Sequence, residues 1–175
     1  MKNAIPASRA LGPVLLAAAA LLTAGCGQGK PAAAASGTIY DHFRVDLGGH
    51  AANLQVAVSN SEKERGLMQR PDLGPDDGMI FVDESPQRQN FWMKNTPESL
   101  DIAFAAPDGT IVEIHPLYPF DMRTVSSNSD QLLFAVEMPQ GWFAAKGVRA
   151  GEKIDVKAVA SALRDRGYDP AKFGL

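Results

Sequence analysis

The sequence predicts a mainly β fold, a compact antiparallel β-barrel or sandwich of about eight short strands with one or two short helices, and three observations lead there. Apolar residues alternate with period two in many short runs. Glycine- and proline-rich turn signals separate those runs at close spacing. No apolar stretch of period 3.6 is long enough to supply the helix of a parallel crossover, which argues for strands joined by turns.

Residues 1–25 read as a lipoprotein signal peptide rather than as part of the fold. Lys2 and Arg9 give a basic start, and Ala10 to Leu22 is apolar apart from Gly12 and Pro13. That run is short of the ~20 residues a bilayer span needs but suits a signal core. It ends in Leu22-Thr23-Ala24-Gly25-Cys26, which resembles the bacterial lipobox whose cysteine takes diacylglycerol, with Thr23 where leucine is usual. Cys26 is the single cysteine, so an internal disulfide is impossible and lipidation is its expected role. Residues 26–37 are small and polar, a flexible tether. These features imply a domain lipid-anchored to the membrane in the cell envelope and facing the periplasm. Gly27, where retention at the inner membrane uses aspartate, points to the outer membrane rather than the inner.

The β-barrel-like domain is expected over residues 38–157 and a C-terminal helical tail over 158–175. Tyr40 to Leu47 opens the fold with Phe43, Val45 and Leu47 on one face; Gly48-Gly49 turns the chain, and Leu54, Val56 and Val58 alternate on the return. Ser61 and Glu64 have the spacing of a capping box, starting a short helix that runs through Arg65 to Arg70 and stops at Pro71. A strand follows over Met79 to Val82, turned at Glu84-Ser85-Pro86. Phe91 to Thr96 alternates as a strand, Pro97 interrupts it, and Leu100, Ile102 and Phe104 resume on one face. Pro107-Asp108-Gly109 is a hairpin signal, returning through Thr110 to His115 with Val112 and Ile114 opposite Ile111, Glu113 and His115. Pro116 to Asp130 reads as a long loop. Leu132, Phe134, Val136 and Met138 alternate next, a short helix is expected near Gln140 to Lys146, a last strand over Ile154 to Val156, and a terminal helix over Ala158 to Arg166.

The central stretch from Phe91 to Ala106 carries the richest polar cluster. Arg65, Arg70 and Lys94 can hold a carboxylate or phosphate, and arginine does so with two parallel bonds. Asn95 and Asp101 can bond hydroxyls, and Trp92 can stack on a ring. Pro97-Glu98-Ser99 is short enough to bring Lys94 close to Asp101, so a purely structural ion pair between them is the competing reading. The expected ligand is a small anion or polyol.

Read together, the blocks Arg65-Gly66-Leu67-Met68 with Arg70, Gly78-Met79-Ile80-Phe81, Trp92-Met93-Lys94-Asn95-Thr96, Leu100-Asp101-Ile102, Gly109, Ile111-Val112, Ala135-Val136-Glu137 and Gly141-Trp142 resemble the exported domain-of-unknown-function 192 family. The resemblance covers about Val45 to Val156. It implies a small, mostly antiparallel β domain and brings no established reaction, cofactor or catalytic residue with it.

Other chemistries are less well supplied. With the cysteine committed to the anchor, no Gly-x-Ser-x-Gly elbow, and His42, His50 and His115 on separate segments, no nucleophilic group is evident. Asp101, Glu113 and Glu137 offer carboxylates for a hydrolase, but on strand faces opposite their apolar neighbours they read as solvent-facing or salt-bridged. His115 with Met122 offers imidazole and thioether for Cu(I); Met68, Met79, Met93 and Met138 sit at core-like positions. The net charge of −3 argues against nucleic acid as a partner. A binding domain rather than an enzyme is therefore expected, without a cofactor, taking a small molecule or docking an envelope protein.

Overall fold

The computed structural model describes residues 37–175; the signal peptide, Cys26 and nearly all of the tether lie outside them. Eight strands form two sheets. The larger has six strands in the order β1-β2-β3-β8-β5-β6, and the smaller pairs β4 with β7. The strands are β1 Phe43–Leu47, β2 His50–Ala57, β3 Asp77–Gln87, β4 Asn90–Phe91, β5 Leu100–Ala105, β6 Ile111–Leu117, β7 Val125–Ser126 and β8 Leu132–Pro139. The large sheet is open, so the mainly β sandwich-like reading holds and the barrel alternative does not.

Both faces of that sheet are covered. On one lie α2 (Trp142–Lys146), α3 (Val156–Asp165) and a 3₁₀ turn at Pro170–Phe173, packed on Val45, Leu54, Val56, Ile80, Val136 and Met138. The other buries Leu67, Met79, Phe81, Met93, Leu100, Ile102, Phe104 and Ala135 beneath the small sheet and its loops. β8 sits between β3 and β5, covered on both faces, which is why Leu132 to Met138 is almost continuously apolar rather than alternating. α3 presents Val159, Ala162 and Leu163 to this core and is capped by Asp155, which accepts from Lys157 and Ala158 N–H.

Several local expectations are corrected. β2 and β3 pair in parallel, joined by a right-sized loop around α1 (Asn60–Arg65), because six helical residues plus flanking coil suffice to cross back. The capping box lies two residues earlier than the sequence spacing suggested, between Ser59 and Glu62. α1 ends at Gly66 (φ 47°), whose missing Cβ admits that backbone turn well before Pro71. β3 runs through Glu84-Ser85-Pro86 to Gln87 with an irregular register after Val82. The strand expected over Phe91 to Thr96 shrinks to the two residues of β4, since the chain turns at Asn95 (φ 56°). A bulge between Phe104 and Ala105 puts Ile111 on the same face as Ile114 and leaves Val112 exposed. Pro116 and Leu117 extend β6, and β7 lies within the expected loop. Ile154 makes only an isolated bridge to Leu47, and Val156 already begins α3.

Gly78 on β3 has no room for a side chain: a Cβ there would meet the Glu137 carbonyl oxygen at 2.3 Å and the Met138 sulfur at 2.5 Å. Gly78→Ala is expected to push β3 away from β8 and lower the unfolding free energy by about 3 kcal/mol, measured by urea denaturation. A loss below about 0.5 kcal/mol would show that the two strands are not locked at this point.

Candidate functional site

The six residues read from the sequence as a binding cluster do not line one cavity. Arg65 stacks over the Tyr40 ring at 5.8 Å. Arg70 is held by Asp72, with Nε to Oδ1 at 2.7 Å, and donates to Gln55 Oε1 at 3.1 Å. Lys94 lies over the Trp92 ring at 5.2 Å. Asn95 is turned outward in left-handed backbone, its carbonyl accepting from Gln69 N–H. Asp101 accepts the Gly141 N–H at 2.7 Å, fixing the turn that leads into α2. The expected Lys94–Asp101 pair is absent among the described residues: each side chain has a different partner, because the chain turns back at Asn95 instead of continuing as a strand.

Arg65 and Trp92 do both line one cavity on the small-sheet face, of about 350 Å³. That volume lies within the range of small-ligand sites. Phe81 and Phe91, packed edge to face with centroids 4.9 Å apart, form an aromatic wall. Leu67 and the backbone after α1 close another side, and Arg88 stands at the rim, donating to the Asn128 carbonyl.

Glu137 also lines this cavity, and the structure overturns the expectation that it faces solvent. It lies on β8 opposite Met79 on β3 and Ile102 on β5, both buried, and is itself 4 % exposed. No side chain or N–H among the described residues bonds its carboxyl group. Burial alone therefore pushes its pKa up to about 8, and the group is protonated at neutral pH. Gln89, 5 % exposed, lines the same cavity. Its Nε2 donates to Asp83 Oδ2 at 2.7 Å while its Oε1 is buried without a partner. Asp83 also holds Lys63 at 2.5 Å, an ion pair within the cavity lining. What remains open is a carboxyl group and an amide oxygen, both desolvated. Unsatisfied buried polar groups are costly and uncommon, and a ligand that bonds them removes the cost.

Sequence reasoning missed Glu137 and Gln89 as partners. A signal for Glu137 was present: a single acid within the apolar run Leu132 to Met138, the pattern of a strand covered on both faces. Gln89 has no such signal. The other two carboxylates weighed for hydrolysis have structural roles. Glu113 accepts from Asn128 N–H and Nδ2 and faces His115 Nε2 at 2.7 Å; burial, which raises its pKa, is outweighed by these bonds, and the pKa is lowered. Asp101 caps the turn at Gly141. His115 is thus engaged by a carboxylate, and Met122 is exposed in the loop after β6.

The titration of Glu137 makes stability depend on pH with a definite sign. Its folded pKa is raised, so relative stability is full below the unfolded value near 4.5, falls as pH rises, and levels off above about 8. Glu137→Gln removes that dependence. The variant is expected to match the wild type at pH 4 and to exceed its unfolding free energy at pH 8 to 9 by several kcal/mol; parallel urea curves across this range would refute the burial of the carboxyl group.

Comparison with known proteins bears on the same fold. A structure from Sinorhizobium meliloti 1021, named as a candidate transcription regulator, is 33% identical with a TM-score of 0.64, covering 68% of this chain and 96% of that one. A protein of unknown function from Novosphingobium aromaticivorans DSM 12444 is 30% identical with a TM-score of 0.62, covering 65% and 84%. No curated protein matches the chain. The family model described as Uncharacterized ACR matches residues 43–156, which takes in both sheets, Glu137 and α2, and the chain belongs to this domain-of-unknown-function 192 family.

Proposed function

We propose that this chain is a binding domain tethered to the membrane of the bacterial cell envelope, and that it takes a small hydroxyl-rich ligand in the Glu137 cavity. The observation that carries the reading is that the protonated, unpartnered Glu137 and the unpartnered Gln89 Oε1 line one aromatic-walled cavity. Hydroxyls of one polyol can accept from the Glu137 carboxyl group and donate to the Gln89 oxygen. Phe81, Phe91 and Trp92 offer flat apolar surface to the C–H face of a ring. Acceptors in the cavity favour a polyol over a simple anion, and Arg65 at the rim suits an acidic substituent on it. The tether is the Cys26 reading from the sequence: basic start, apolar run and small residues before the cysteine. The net charge of −3 gives no support to a nucleic-acid partner.

Two measurements test this. A melting-temperature screen of sugars, sugar acids and polyols on the purified protein is expected to find a ligand that raises Tm, with the shift lost in Glu137→Ala and Gln89→Ala. A panel with no shift in the wild type, or a shift that survives both substitutions, sinks the cavity reading. Turnover of the stabilising compound would instead make Glu137 a general acid of a hydrolase. Cys26→Ser is expected to abolish incorporation of labelled palmitate, and unchanged labelling would refute the anchor.

A further inference from the structure

The described residues contain three non-glycine positions with left-handed backbone, and all three meet at one place away from the Glu137 floor. Gln69 (φ 58°), Asn95 (φ 56°) and Phe120 (φ 58°) line one shallow depression together with Pro71 and Pro97. Backbone hydrogen bonds fasten the three loops: Gln69 N–H to the Asn95 carbonyl at 2.8 Å, Phe120 N–H to the Thr96 carbonyl at 3.1 Å, and Met93 N–H to the Asp121 carbonyl at 2.8 Å. Asparagine tolerates this conformation; for phenylalanine it is strained and persists only where the surroundings impose it. The strain brings Phe120 no burial, since it is 61% exposed; Tyr118 (54%) and Met122 (57%) lie two residues away in the same loop, and Trp92 (45%) directly precedes Met93, whose N–H bonds the Asp121 carbonyl. Four of the six large apolar residues exposed among the described ones belong to this tip.

We propose that the tip formed by Trp92, Tyr118, Phe120 and Met122 inserts into the interfacial layer of the membrane, so that the domain lies against the lipid surface. The proposal rests on the Cys26 anchor put forward above. From Cys26 the chain can reach at most about 40 Å to Gly37, whose N–H is fastened to the Asp165 carbonyl at the end of α3. That reach, roughly the diameter of a domain this size, is enough for the domain to turn its tip onto the lipid. The composition fits: tryptophan and tyrosine place an apolar ring and a polar end at the headgroup level. Lys94, over Trp92 and without a carboxylate partner among the described residues, lies where it can meet lipid phosphate. Asp121 does not oppose this, because Arg123 holds it at 2.6 Å. The backbone groups that fasten the loops are engaged with one another, which leaves side chains for a fluid surface rather than hydrogen-bonding edges for a shaped protein partner.

The test uses the lipidated full-length protein in vesicles of phosphatidylcholine and phosphatidylglycerol carrying bromine on the acyl chains. Trp92 is exposed, whereas Trp142 is buried and donates to Asp76 Oδ1, so Trp92→Phe gives the constant background emission. Trp92 emission is expected to fall severalfold relative to vesicles without bromine. Phe120→Asn with Met122→Ser keeps a residue that accepts left-handed backbone, so Tm is expected to hold while the quenching disappears. Unquenched Trp92 in protein shown by mass spectrometry to carry lipid overturns the docking and leaves the anchor standing. Absence of lipid on Cys26 overturns the anchor and the docking with it. Quenching that persists in the double variant, or a protein crosslinked to the tip in place of lipid, also overturns the proposal.

Discussion

Burial of β8 on both faces is the constraint from which the rest of this fold follows. A strand with β3 and β5 on its edges and core on either side has no solvent face, so every side chain from Leu132 to Met138 must fit a packed interior. One face requires the helices, because Val136 and Met138 would otherwise be bare. The other requires the small sheet and the loops that support it, including Leu67 and Met93. Close approach of β3 then demands glycine at position 78, where the Glu137 backbone and Met138 side chain leave no space for a Cβ.

Glu137 is the exception to that constraint, and its position explains why it matters. An acid placed between Met79 and Ile102 loses its hydration, and nothing among the described residues replaces it with hydrogen bonds. It adapts by keeping its proton. A methionine would fill the position without that penalty, so packing gives no reason for the acid. The cavity gives one, since it brings a second unsatisfied acceptor, Gln89 Oε1, to the same space. Stability set aside at a site, with aromatic walls around it, is what supports the proposed ligand reading.

The turns and the regular strands were legible in the sequence because local chemistry decides them. Gly48-Gly49 adopts the positive φ values (59° and 84°) that its hairpin requires, and Gly109 (φ 82°) does the same after Asp108. The period-two assignment of Leu100, Ile102 and Phe104 to one face is matched by the core they share. What could not be read depends on distant partners. The alternation in Phe91 to Asn95 looked like a strand, yet β4 has only β7 to pair with, and the loops around it override the pattern. The parallel pairing of β2 with β3 is a property of the sheet and not of either strand. The polar cluster drawn from the sequence dispersed for the same reason: Arg70, Lys94 and Asp101 each found a nearer partner, Asp72, Trp92 and Gly141.

The stretch after β4 nevertheless links the two features of the small-sheet face. Phe91 and Trp92 wall the cavity, while Met93 to Pro97, turning at Asn95, join the loop of Phe120. The covalent connection between them is a few residues long and is fastened at Met93 and Thr96 by backbone hydrogen bonds. Trp92 itself lines the cavity and directly precedes Met93, which is bonded to the Asp121 backbone, so one residue belongs to both features. On the helical face Trp142, Phe143 and α3 pack over the core. On the two proposed readings the side of the sheet that carries the strained backbone, the exposed aromatics and the unpaired acid is one functional face, and the helices opposite it supply the burial that lets the fold bear their cost.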